Sequence, residues 1–248
     1  MLRSIRAMLK ADLHATDGDI GRCVDFLFDD KHWTIRYMVA DPGKWLRGRK
    51  VLIAATSLGD WDWRSDEVAV GLSRNDIKTS PPLSSDMPVS LRYEQQLAHH
   101  YGWFPYSHGP CVWSGALNAS APLASNQAGD IEAPGEHHLR SVREVCGYHV
   151  QAQGDPAGCV DDFLVDPHTW TIRYLVVDMH RWMKERKILI PPLWTETVDW
   201  KRQRLNIHVN RRSIAESPAY DQRKVLDRED EHALFKHYGR RPCWKNGA

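Results

Sequence analysis

No catalytic or metal-binding signature occurs anywhere in the 248 residues. The chain has no G-x-S-x-G nucleophile elbow, no G-x-x-x-x-G-K-[ST] phosphate loop, no G-x-G-x-x-G and no H-E-x-x-H. Five cysteines (23, 111, 146, 159, 243) are an odd number with no C-x-x-C spacing. That argues against a disulfide framework and a thiolate metal site, and fits a reducing cytoplasm. A marked excess of charge of either sign is also missing. With 33 basic against 32 acidic side chains, binding to nucleic acid by bulk electrostatics is excluded. No apolar run approaches ~18 residues, so no membrane span is expected. These absences lead us to expect no catalytic residue, no cofactor, no metal and a cytoplasmic location. A Cys–His nucleophile pair is the one enzymatic arrangement the residues leave open.

What the chain does have is a repeat. Trp33-Thr-Ile-Arg-Tyr-Met-Val-Ala-Asp41 returns as Trp170-Thr-Ile-Arg-Tyr-Leu-Val-Val-Asp178, an offset of 170 − 33 = 137 residues. Trp, Ile, Tyr and Val fall on alternate positions, the period of a strand with one face in a core. The same offset carries Ser4, Arg6 and Ala15 onto Ser141, Arg143 and Ala152. The basic N-terminus is therefore expected to be a first strand, not a targeting peptide. Gly21-x-Cys23-x-Asp25-x-Leu27-x-Asp29 and Gly158-x-Val160-x-Asp162-x-Leu164-x-Asp166 read as a second repeated strand. Cys23 stands where Val160 stands, so it is a core position. The opening glycines imply a bulge or a close backbone approach. Turns follow at 29–32 and 166–169, before the nine-residue strand.

Arg49-Lys-Val-Leu-Ile53 and Arg186-Lys-Ile-Leu-Ile190 continue each copy, then Val68–Leu72 and Leu205–Val209. A short helical turn is expected over Asn75–Lys78, closed by Ser80-Pro81 and matched by Ser217-Pro218. Each copy then ends in a helix, with Ser90 and Asp227 as N-caps. Leu97 and Tyr101, like Leu234 and Tyr238, lie four apart on one face, and Gly102 and Gly239 terminate the helices. The 31 residues Ser107–His137 carry only Asp130, Glu132 and Glu136 as charged groups, histidines aside, and read as a flexible linker. A coil of that length spans about 30 Å. The domain reading is thus 1–106, a linker at 107–137, and 138–248.

Short strands punctuated by turns, with edges that must be hidden, point to a mostly β fold of two small tandem barrels. The second faces of the repeated strand, Met38 with Ala40 and Leu175 with Val177, need cover from the terminal helix or the other barrel. Asp25 with Arg36 and Asp162 with Arg173 read as cross-strand ion pairs. His99-His100 and His137-His138 point in divergent directions and do not read as metal ligands.

The G-x-V-x-D-x-L-x-D run, the I-R-Y-L-V-V-D strand, the V-L-I strand, I-x-x-S-P and the helix Tyr93-Glu94-Gln-Gln-Leu97-Ala-His-His100-Tyr101-Gly102 resemble the PRC-barrel family. The resemblance covers both copies. It implies two six-stranded barrels, each followed by a short C-terminal helix, that dock on a larger partner. The family includes the cytoplasmic domain of the photosynthetic reaction-centre H subunit. It also includes the C-terminal domain of a ribosome maturation factor. No catalytic residue comes with it.

Of eleven Trp, six pair by the offset, and Trp61, Trp103, Trp113, Trp194 and Trp244 do not. Large amphipathic rings favour interfaces. Trp61, Trp103, Trp194 and Trp244, with Arg211 and Arg212, are therefore the candidate partner surface. Residues 138–248 carry 19 basic and 15 acidic groups, with aromatics interleaved among the basic clusters. The expected function is a non-enzymatic binding, scaffolding or regulatory module. Its partner is another protein or a second copy, and the two barrels pack on each other. The alternatives are an RNA- or ribosome-associated maturation factor, and a soluble relative of the H subunit acting on an electron-transfer complex.

Overall fold

The structure, a computed structural model, describes residues 1–46, 48–81, 83, 91–102, 139–179 and 186–240. The protein is mostly β and contains two seven-stranded sheets of the same topology. Two compact units result. The first-half unit is Leu9–Arg140; the second-half unit is Met1–Met8 together with Ser141–Ala248.

In the first-half unit, β2 (Asp12–Ala15), β3 (Gly18–Asp29), β4 (Thr34–Asp41), β5 (Val51–Ala54), β6 (Leu58–Asp62) and β7 (Glu67–Val70) adopt the order β5-β4-β3-β2-β7-β6. Neighbours are antiparallel except β2 and β7, which run parallel. The second-half unit repeats this with β9 (His149–Ala152), β10 (Asp155–Val165), β11 (Ile172–Asp178), β12 (Lys187–Ile190), β13 (Thr195–Asp199) and β14 (Arg204–Ile207). In each sheet the two edge strands are consecutive in the chain. A single 3₁₀ turn, Ala55–Ser57 or Pro192–Trp194, joins them.

The seventh strand of each sheet is unexpected. Residues 1–10 are not one strand: β1 is only Arg3–Ser4, followed by the helical turn α1 (Ile5–Met8). Ser4 Oγ accepts from Ala7 N at 3.1 Å, and the serine cap stops the strand. Moreover, β1 pairs with β10, through Arg3↔Val165 and Ser4↔Leu164. In the other sheet, β8 (Leu139–Ser141) pairs with β3. Each unit therefore contains the leading segment of the other repeat. Ser141 likewise caps its own turn, α4 (Val142–Val145), accepting from Glu144 N at 3.0 Å.

The nine-residue repeat also begins differently from its period-two reading. Trp33 and Trp170 have φ of +52° and +56° and close the preceding turns, donating to Asp29 O and Asp166 O at 2.8 and 2.7 Å. The strands proper start at Thr34 and Ile172.

Two bulges bend each long hairpin. The register passes from Cys23↔Ala40 to Asp25↔Val39 and from Leu27↔Tyr37 to Phe28↔Ile35, leaving Val24 and Arg36 as extra residues. In β10 and β11 the extra residues are Asp161 and Arg173. The expected Asp25–Arg36 and Asp162–Arg173 ion pairs are therefore corrected. The aspartates lie opposite Val39 and Val176, not opposite the arginines.

The terminal helix α3 (Leu91–Tyr101) places Leu97 in a core with Leu27, Tyr37, Val39, Leu52, Ala54 and Leu139. It thus covers the Tyr37–Val39 face, whereas cover was expected over Met38 and Ala40. Both faces are buried, Met38 and Ala40 completely. The short turn before it is α2 (Arg74–Thr79), held by a reciprocal Ser73–Asp76 cap. In the second-half unit, α5 (Arg211–Ala215) and α6 (Arg228–His237) follow the same plan, and Asp227 caps α6 as expected. Gly102 and Gly239 end the helices at φ +68° and +62°. Ser90 lies outside the described residues. Among those residues, no helix is long and apolar enough to cross a membrane.

The opening glycines have a steric cause. A Cβ on Gly21 would stand 2.1 Å from Asp41 O, and one on Gly158 2.4 Å from Asp178 O, at φ of +108° and +138°. Gly158→Ala is expected to lose about 2–4 kcal/mol from strained backbone and clash together. Gly43→Ala, with a φ of +65° but open space around it, is expected to lose only about 1 kcal/mol. Urea unfolding of both variants measures the contrast.

Candidate functional site

The polar residues shared by both repeats hold the fold together. Tyr37 Oη donates to Glu94 at 3.1 Å, and Tyr174 Oη to Glu231 at 2.7 Å, tying each terminal helix to its sheet. Arg36, 2% exposed, reaches Asp29 at 3.5 Å and Glu94 at 3.4 Å. Burial, with the Glu94 carboxylate beside it, pushes the Tyr37 phenol far up, against a smaller pull from Arg36. Arg49 and Arg186 donate to the carbonyls of Ser80 and Ser217, clasping the two Ser-Pro turns.

Residues that break the repeat are more informative. The partner of Asp161 by offset is Val24, a partly buried side chain on the first-half core. Asp161, the bulge residue of β10, instead accepts from Lys187 Nζ at 2.7 Å and Arg6 Nη2 at 2.8 Å. Gln222 Nε2 approaches the same carboxylate at 3.4 Å. Its neighbour Asp162 is 2% exposed. Asp162 accepts from Ser4 Oγ, from Arg6 N at 3.0 Å and from Phe163 N at 2.7 Å. Two adjacent carboxylates thus grip one leader segment, while Ile5 and Met8 beside them are fully buried.

Their acidities part. At Asp162 burial dominates and raises the carboxyl, although the Ser4, Arg6 and Phe163 donors oppose it. At Asp161 burial acts in the same direction, but the Lys187 and Arg6 hydrogen bonds outweigh it and hold the carboxyl below its ordinary value. A carboxylate so engaged is an anchor for a docked segment. Asp162, Ser4 and Arg6 stood out in the sequence as offset-matched residues. Asp161 did not, because no motif marks a bulge.

The residues expected to form a partner surface differ in burial. Trp194 is a core residue, 2% exposed, and is thereby withdrawn from the partner surface. It packs edge-on to Phe235 and Tyr238 at 5.6 and 4.6 Å, with the Arg240 guanidinium 4.8 Å from its ring. The offset partners of Trp194 and Phe235 are Ser57 and Ala98, so this aromatic seam belongs to the second-half unit alone.

Trp61 stacks on Trp63 at 4.9 Å. In the second-half unit Trp200, the partner of Trp63, has Tyr148 as its neighbour at 6.1 Å. The partners of Trp61 and Tyr148 are Val198 and Ala11, so each unit supplies one aromatic to the shared Trp from a different place, β6 in one and the residue before β9 in the other. Arg211 and Arg212 are exposed on α5, and Arg212 pairs with Glu216 at 3.0 Å. Trp103 and Trp244 lie outside the described residues.

Burial pushes the Cys23 thiol well up, as suits a core position. Cys159 Sγ lies 3.4 Å from His149 Nδ1, where the first-half unit has the Arg22–Asp12 ion pair at 2.8 Å. Among the described residues, no three His, Cys, Asp or Glu side chains converge as a metal site. A cavity of about 180 Å³ lies between β12, residues 218–221 and α6, with Lys224 and Asp230 at its rim. No protein-family model matches the chain, and no curated protein is significantly similar to it.

The two carboxylates should leave opposite marks on acid stability. Asp161, held low when folded, contributes stability above the ordinary aspartate value of about 4 that is lost as pH falls through its folded value. Asp162, held high, binds its proton more readily in the native state and so loses stability as pH rises above about 4. Asp161→Asn is expected to flatten the acid decline, and Asp162→Asn to steepen it. Urea midpoints between neutral and strongly acidic pH give the slopes.

Proposed function

We propose that the chain is a non-enzymatic protein-binding scaffold built from two PRC-type barrels. The barrel reading is supported by the strand order, with its one parallel pair, and by the single 3₁₀ turn joining the two edge strands of each sheet. A sheet whose edges follow one another in the chain is ready to curl into a small closed barrel. The binding reading rests chiefly on β1. The second-half sheet accepts on β10 a short strand from more than 150 residues away and fixes it with two carboxylates. Strand addition at a sheet edge, with side-chain anchors for specificity, is a common physics of protein recognition. The shared charged residues support the same reading, since Arg36, Glu94, Arg186 and Glu231 serve internal clasps.

Among the described residues of 141–240, Leu193, 75% exposed, and Val225, 51% exposed, are the large apolar side chains that stand furthest into solvent. They are the proposed contacts for a protein partner. Affinity purification from the native cell tests this at low and high salt, with wild type beside Leu193→Asp and Val225→Asp. One specific protein should be retained at high salt and should fall at least about tenfold with either variant, as loss of an apolar anchor implies. Retention unchanged in both variants overturns the proposed contacts. Binding that collapses with salt and follows RNA overturns the protein-binding reading.

A further inference from the structure

The leader Met1–Met8 is joined to the first-half unit by the Met8–Leu9 peptide bond, yet its own contacts belong to the second-half unit. The β10 edge holds it in three ways. Residues 3 and 4 extend the ladder where β9 stops, since β9 pairs with 155–159 and β1 with 164–165. Ile5 and Met8 are fully buried. Ser4 Oγ, Arg6 N and the Arg6 guanidinium meet Asp162 and Asp161.

Leu139 and Arg140, at the start of the second repeat, belong to the first-half unit by their own contacts. Leu139 is in its core, and Arg140 Nε lies 3.0 Å from Asp30. A chain cut anywhere in 107–137 would leave each unit holding a strand from the other fragment.

We propose that the β10 edge is a peptide-binding site for a strand-and-turn segment of the type Arg-Ser-apolar-Arg-x-apolar, and that the leader is bound there as a ligand in its own right. This deepens the binding reading above but rests on the leader geometry alone. It holds whether or not an external partner exists. The ladder contributes only two residue pairs, so the buried Ile5 and Met8 and the two aspartates carry the selectivity.

The test uses the full-length chain with one protease site inserted between residues 107 and 137. After complete cutting, the two fragments should co-elute in native buffer at micromolar concentration and separate only on unfolding. Separation under native conditions overturns the proposal. The second arm repeats the cut on Ile5→Asp and Asp162→Ala chains. Each is expected to weaken fragment retention at least about tenfold, as a buried charge or an orphaned donor requires. Retention identical to wild type in both variants overturns the leader as the held ligand. If either variant is unfolded before cutting, Arg6→Ala, at a half-exposed side chain, replaces it with the same criterion. These outcomes do not depend on the purification from cells, so the two readings fail separately.

Discussion

A strand longer than its neighbours is the constraint on which this architecture turns. β3 and β10 run for 12 and 11 residues, while β2 and β9 beside them have four. The uncovered length of such a strand is a row of backbone donors and acceptors, and leaving them buried without partners is costly. The bulges at Val24 and Asp161 bend the strand but do not pair it. A second short segment must therefore complete the same edge. In both sheets that segment is the leader of the other repeat. The buried carboxylate of Asp162, the capped turn at Ser4 and the fully buried Ile5 follow from the need to hold so short a strand.

The repeat made most of the fold legible. Alternation in Trp33–Asp41 located β4 and β11, the opening glycines marked close approaches to Asp41 and Asp178, and the Leu97–Tyr101 spacing gave the face of α3 that meets the sheet. These are local signals, each set by a period or by a steric demand within a few residues. The exchange of leaders was not legible, because an offset of 137 is the same whether each leader stays with its own repeat or crosses to the other. The arginines misled for a related reason. Asp25 and Arg36 suit a cross-strand pair only if the hairpin has no extra residue, and Arg36 is itself the extra residue.

The candidate surface was least legible where identity replaced covariation. Trp61 and Trp194 looked spare because their offset partners are Val198 and Ser57. In the structure each is matched by a second change within its own unit. Trp61 accompanies Ala11 where the other copy has Val198 with Tyr148, and Trp194 accompanies Phe235 where the other has Ser57 with Ala98. The first pair of changes roughly keeps its summed volume, as close packing favours. The second does not, because Trp194 and Phe235 both outsize Ser57 and Ala98, and the second-half unit carries extra aromatic volume there. Each unmatched aromatic is thus tied to a second residue of its own unit, Trp61 to Trp63 and Trp194 to Phe235.

The same comparison shows why the two leader sites are not interchangeable. Asp161 meets Arg6 at a position where the first-half unit has Val24, which packs on the core. Asp30 meets Arg140 where the second-half unit has Pro167. Both leaders carry arginine at both places, Arg3 and Arg6 or Arg140 and Arg143, so the leaders are nearly alike and the sites differ. Arg6 meets a carboxylate, Asp161, with no counterpart in the first-half site, and Arg140 meets one, Asp30, with no counterpart in the second. Each site therefore offers a carboxylate that the other lacks. Binding free energy that depends on where the anion stands is what separates two near-identical ligands. Divergence at Val24/Asp161 and Asp30/Pro167 thus gives a duplicated fold a way to favour one of two chemically similar strand pairings.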